Sequence, residues 1–137
     1  MNYDISIDHK NKIVLCASEG ELTMKSAALM TRDARKQAFE LGYNTFHDVT
    51  NVSLSVGILD AYSFPRAMEN IYEDSRHRSG RAAIIYAPDK DRVFWEFFES
   101  TARNAGVDVM VFCNKEEAVQ WLSMTRPANK PDADDDK

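Results

Sequence analysis

A chain of 137 residues has room for one domain, since a typical domain takes about 100 to 200 residues. Apolar residues make up 44% and charged residues 28%, ordinary values for a globular chain, so a packed core is available and global disorder is excluded. With 17 Lys and Arg against 22 Asp and Glu the net charge is −5, which argues against a nucleic-acid binder held by general attraction to phosphates. Residues 129–137 hold four Asp and two Lys, so the rest of the chain is only mildly acidic.

Taken in chain order, Tyr3 to Asp8 alternates at period two and Lys12 to Ser18 is a denser apolar run, with His9-Lys10-Asn11 as the turn of an opening hairpin. Thr23 is a good N-cap for a helix over Met24 to Leu41, and Gly42 stands where a left-handed C-cap belongs. Ala27, Ala34, Ala38 and Leu41 form a stripe of mostly small residues that lets this helix approach a sheet closely. Thr45 to Val49 reads as a strand, and Thr50 to Ser53 as a polar turn. The regular part of a second helix is placed at about Pro65 to Ser75, with the proline in its first turn. Arg81 to Ala87 is a nearly continuous apolar run, the pattern of a strand buried on both faces. A third helix over Asp89 to Ala105 ends at Gly106, a last strand covers Val107 to Phe112, and Asn114 caps a short final helix with Ala118, Trp121 and Leu122 on its inner face. Strands alternating with helices predict a largely parallel sheet with the hairpin as an antiparallel edge.

Three stretches carry more than packing. They are the Leu41-Gly42 helix ending, the strand bearing His47-Asp48-Val49-Thr50, and the closing run Gly106-Val107-Asp108-Val109-Met110-Val111-Phe112 with Glu116-Glu117-Ala118-Val119-Gln120-Trp121-Leu122. Together with the paired opening strands they resemble the STAS family, the domain of anti-sigma-factor antagonists and of anion-transporter tails, and within it the bacterial SpoIIAA-like branch. The resemblance covers roughly residues 1–122 and implies a regulatory domain acting through protein partners. In antagonist members the turn after this strand resembles Asp-Leu-Ser, a short spacer and Asp-Ser-Ser-Gly, whose first serine a partner kinase phosphorylates. Asp48-Val49-Thr50 matches the first word, but Val56-Gly57-Ile58 stands where Asp-Ser-Ser belongs, so the usual phosphoserine is missing. Ser53 and Ser55 are the nearest substitutes. The same branch is similar in fold to the CRAL-TRIO lipid carriers, which implies a second function, the carriage of a lipid or small apolar ligand in a pocket lined by the second and third helices. This chain is far shorter than such carriers.

Ligands of open parallel sheets bind beyond the carboxyl ends of the strands, which here nominates Asp48, Thr50, Ser53 and Ser55 as a binding rim. Asp48 with Lys115 also suggests a receiver-like phospho-Asp domain, but two strands precede the first helix and Ala87 replaces the hydroxyl expected after the fourth strand. His47 and Asp48 are adjacent in a strand and point to opposite faces, so they do not form an acid-base pair, and His47 reads as a structural histidine. No nucleophile elbow, phosphate loop or Cys-His pair is present, and the histidines share no metal-ligand spacing, so no catalytic residue, metal or cofactor is expected. Cys16 and Cys113, both in apolar runs, read as reduced core thiols. Arg76 and Arg78, with His77 and Arg81, form a basic cluster that either caps the second helix or contacts an anion such as an acidic lipid headgroup. On the third helix, Phe94, Phe97 and Thr101 toward the sheet leave Trp95 and Phe98 on a flank, covered either by the last helix through Trp121 or by a protein partner or a second copy.

The sequence therefore predicts one α/β domain over residues 1–124, a single mostly parallel sheet with an opening antiparallel hairpin and four flanking helices. A disordered acidic tail follows over 125–137. Non-enzymatic regulation by protein interaction or small-ligand binding is the expected function. No signal pattern opens the chain, and no apolar run approaches the about 20 residues of a transmembrane segment, so a cytoplasmic location is the default.

Overall fold

In the computed structural model, residues 1–68, 80–89 and 91–124 are described. The expected sheet is present, with strands in the order β1 (Asn2–Asp8), β2 (Ile13–Leu22), β3 (Asn44–Leu54), β4 (Ala82–Ile85) and β5 (Val109–Phe112). β1 pairs antiparallel with β2 and the remaining neighbours are parallel. Among the described residues the helices are α1 (Met24–Leu41), α2 (Ile58–Ala67), α3 (Arg92–Asn104) and α4 (Lys115–Ser123). The basic pair Arg76 and Arg78, and the tail from 125 onward, lie outside the described residues.

The caps of α1 are those its sequence predicts. The Ser26 amide donates to the Thr23 hydroxyl at 3.1 Å and the Thr23 amide donates back to Ser26 Oγ at 2.9 Å, while Gly42 takes a left-handed φ of 73°. Three boundaries differ by four residues or more. β2 and β3 run on past Ser18 and Val49, with a bulge between Ala17 and Glu19, so that Asn51 to Leu54 pairs with Glu19 to Leu22. Gly20 sits there at φ 100°, where an added Cβ would come within 3.3 Å of Met1 Cα. What reads as a polar turn is thus a strand whose Val52 is buried while Asn51 and Ser53 are exposed. α2 begins at Ile58 and carries Pro65 inside it rather than in its first turn. Proline cannot donate to the carbonyl four residues back, and the Thr101 hydroxyl of α3 donates to that Ala61 carbonyl instead, at 3.2 Å.

The sheet separates two cores. On one face Cys16, Met30, Ala34, Val49, Ile84 and Trp95 are among the residues packed between the strands and the helices α1 and α3. On the other, Ile13, Phe46, Ala83 and Ile85 pack against Ala118 and Leu122 of α4. Arg81 fixes α4 in place: it is 8% exposed, donates from Nη1 to the Trp121 carbonyl at 2.8 Å, and lies 4.9 Å over the Trp121 ring. Asn44 Nδ2 donates to the neighbouring Leu122 carbonyl at 2.8 Å. Arg81 therefore serves a C-terminal carbonyl of the last helix. Of the two cysteines Cys16 is buried, and burial pushes its thiol up to about 11. Cys113 is exposed, contrary to its apolar sequence context, because it lies just past the end of β5.

Candidate functional site

Strand alternation decides which side chains of β3 meet which helices. Thr45, His47 and Val49 point toward α1, α2 and α3, whereas Phe46 points into the core beneath α4. Val49 is the hydrophobic residue such a position calls for. His47 is not, and a polar side chain on the buried face of a central strand is the informative exception.

His47 is 7% exposed and its Nδ1 has no hydrogen-bond partner among the described residues. An unsatisfied buried polar atom of this kind costs about 1–3 kcal/mol. Burial, with the positive charge of Arg35 adding to it, pushes the imidazole down from 6.5 to about 4, so the ring is neutral at pH 7. The ring borders two adjoining recesses. The larger, about 70 Å³ and half open to solvent, is roofed by α1, α2 and α3 and lined mainly by apolar groups, among them Met30, Ala61, Phe64, Phe94, Trp95 and Phe98. The smaller, about 40 Å³, continues past His47 toward Arg35, Thr45 and Val109. Asp60 also borders the larger recess, but its carboxylate accepts from the Gly57 amide at 2.9 Å and so closes the N-terminus of α2. No protein-family model matches the chain, and no curated protein matches it.

The rim residues nominated from the sequence do not line either recess. Asp48 Oδ1 accepts from the Thr50 amide at 3.0 Å and from the Thr50 hydroxyl at 2.7 Å, a local turn within the bulged strand. Ser55 donates to the Glu21 carboxylate, and both Ser53 and Ser55 are exposed. Asp48, Thr50 and Ser53 are spread along β3 and Ser55 lies just past its end, because the strand continues where a turn was expected. Trp95 and Phe98, weighed for a partner or dimer surface, stand in the wall of the recess. Trp95 is 5% exposed and meets Phe94 and Phe98 edge to face, at centroid distances of 5.0 and 6.0 Å. Trp121 packs on Phe112 on the opposite face of the sheet and does not cover them. Among the described residues no group of three or more His, Cys, Asp or Glu side chains is placed to hold a metal ion, and no helix is long and apolar enough to cross a membrane.

The histidine is visible in the sequence as a residue but not as a site. What marks it is its place between Thr45 and Val49 on the inward face of a strand whose neighbours on that face carry Cys16 and Ile84. The alternation alone puts an imidazole into an apolar layer. The recess beside it comes from the way three helices meet over the sheet, which no local pattern encodes.

Proposed function

We propose that this protein is a non-enzymatic small-ligand-binding module whose ligand occupies the recess between the sheet and α1, α2 and α3. One observation carries this reading: an apolar cavity bordered by a buried, unsatisfied histidine. An apolar cavity of about 150 Å³ takes up benzene, and a well-held buried water needs about three hydrogen-bond partners, more than this lining readily supplies. The two recesses, at about 70 and about 40 Å³, are each less than half of that volume, so a compact molecule seated at the open side rather than a long acyl chain fits the space. The STAS resemblance agrees with a binding role and suggests that occupancy is reported to a protein partner. The CRAL-TRIO alternative shares the logic of an enclosed apolar ligand, restricted here to a small one.

Titration of the labelled protein with toluene, followed by two-dimensional NMR, is the test. Shifts are expected to cluster on Ala27, Met30, Ala61 and Trp95, with Kd on the order of 1 mM, about −4 kcal/mol. Scattered or absent shifts would count against any site in this recess.

A protein-partner reading has its own support on the outer side of α2, where Ile58, Leu59 and Tyr62 are 44%, 82% and 53% exposed. Three large apolar side chains on one helix face suit contact with another protein. Self-association is the simplest form of it. At high concentration the wild type should then sediment above its monomer mass and Leu59→Glu should return it to a monomer. A wild type that stays monomeric removes this form of the reading.

A further inference from the structure

We propose that the recess is selective for a compact neutral molecule, of the size of a single ring, that carries one hydroxyl group, the phenol and small-alcohol class, with the hydroxyl hydrogen-bonded to the His47 imidazole. The proposal rests on the small-ligand function above and adds the chemistry of the ligand.

The choice of polar group follows from the state of the imidazole. A neutral ring has one nitrogen that donates and one that accepts, and a hydroxyl can serve either, since it is both donor and acceptor. No particular tautomer is then required. A carboxylate is poorly matched, because an anion loses its hydration on entering a lining of Met30, Phe64, Phe94, Trp95 and Phe98. A neutral imidazole does not supply the opposite charge that would offset this loss, and the Arg35 guanidinium borders the smaller recess and not the larger one. A hydrocarbon fits the walls but offers the His47 ring no hydrogen bond, and the buried Nδ1 of that ring has none among the described residues.

The apolar part of the ligand is set by the walls and the volume. The aromatic rings of Phe94, Trp95 and Phe98 in the wall favour a flat ring over a branched aliphatic group. At about 70 Å³ the larger recess encloses only part of one ring, and the rest of the ring with any substituent lies at its open side. Two fused rings exceed the enclosed space.

Phenol, toluene and benzoate are suitable probes, titrated into the full chain at pH 7 by NMR or calorimetry. Comparison with toluene removes the shared ring, so the effect of His47 appears as the change in the phenol-to-toluene preference between wild type and His47→Leu. That preference is expected to fall by about tenfold in His47→Leu, and His47→Gln, which keeps a hydrogen-bonding group, is expected to retain part of it. If toluene binds and the preference is the same in both proteins, the hydroxyl selectivity is wrong and the small-ligand function stands. Benzoate binding more tightly than phenol would also overturn it, in favour of an acid site. If none of the three binds, both fail. Should His47→Leu not fold, the wild type alone decides. Phenol must move the 15N resonances of the His47 ring and toluene must not, and equal responses to both overturn the proposal.

Discussion

Trp95→Ala is expected to lower stability by about 3 to 5 kcal/mol, the usual cost of truncating a large buried aromatic side chain. The ring is 5% exposed and belongs to the cluster that joins α3 to the sheet, with Val49, Ile84, Tyr86 and Ala102 in the same group. Most of its area is therefore returned to water or left facing a void when it is removed. The void opens into a recess that already exists, so little collapse is available to recover the lost contacts. Against a total stability of about 5 to 15 kcal/mol this is a large share. At about 4 °C for each kcal/mol, the melting temperature should drop by more than about 10 °C. Denaturant titration checks the figure. A loss under about 1 kcal/mol would mean that the ring contributes little to the chain's own core, and would return Trp95 and Phe98 to the partner surface weighed from the sequence.

Acidification should separate wild type from His47→Leu. The folded ring titrates near about 4 and an unperturbed histidine at 6.5, so the unfolded chain binds the proton first as pH falls. The sign follows from that order. The contribution of neutral His47 is fully present above pH 6.5 and is lost as pH falls toward 4. At about 1.36 kcal/mol for each pH unit between the two values, the loss is about 3 kcal/mol over that window. His47→Leu lacks this contribution but keeps the carboxylates that weaken any protein in acid. At pH 7 the two proteins should differ by only about 1 kcal/mol, because the substitution removes an unsatisfied polar group along with its packing. From pH 7 to pH 4 the wild type should then lose about 3 kcal/mol more than the variant, measured by urea unfolding at each pH. Parallel pH profiles would show that His47 titrates normally and is not enclosed by the helices.

Much of the fold follows from local chemistry. The hairpin, the caps of α1 at Thr23 and Gly42, the buried run that becomes β4, and the Asn114 cap of α4 each have a sufficient cause within a few residues. The failures have long-range causes. Asn51 to Leu54 pairs with β2 beyond the reach of the short β4, so its polar residues face outward and imitate a turn. Pro65 is tolerated inside α2 because the Ala61 carbonyl it leaves unpaired accepts from the Thr101 hydroxyl, 40 residues on from Ala61. On α3 the aromatic residues are too dense for composition to choose the inward stripe. Phe94, Phe97 and Thr101 look as suitable in the sequence as Trp95 and Ala102, and the last two prove to be the buried ones. The site is legible in part: the resemblance to lipid carriers suggests a pocket lined by the second and third helices, and both stand in the walls of the recess, but nothing local points to His47. The rim after β3 is where parallel sheets usually bind ligands, but this sheet adds its parallel strands in sequence order, with no reversal to open a crevice there. Its cavity lies instead under the helices, with His47 at the floor.

The most direct test of a neutral, ligand-facing His47 is 15N NMR of its imidazole, recorded from pH 7 to pH 4 with and without saturating phenol. The ring is expected to stay neutral down to about pH 4, and its nitrogen resonances to move when phenol is added at pH 7. A ring that titrates near 6.5 and does not respond to phenol would contradict both the enclosed histidine and the site built around it.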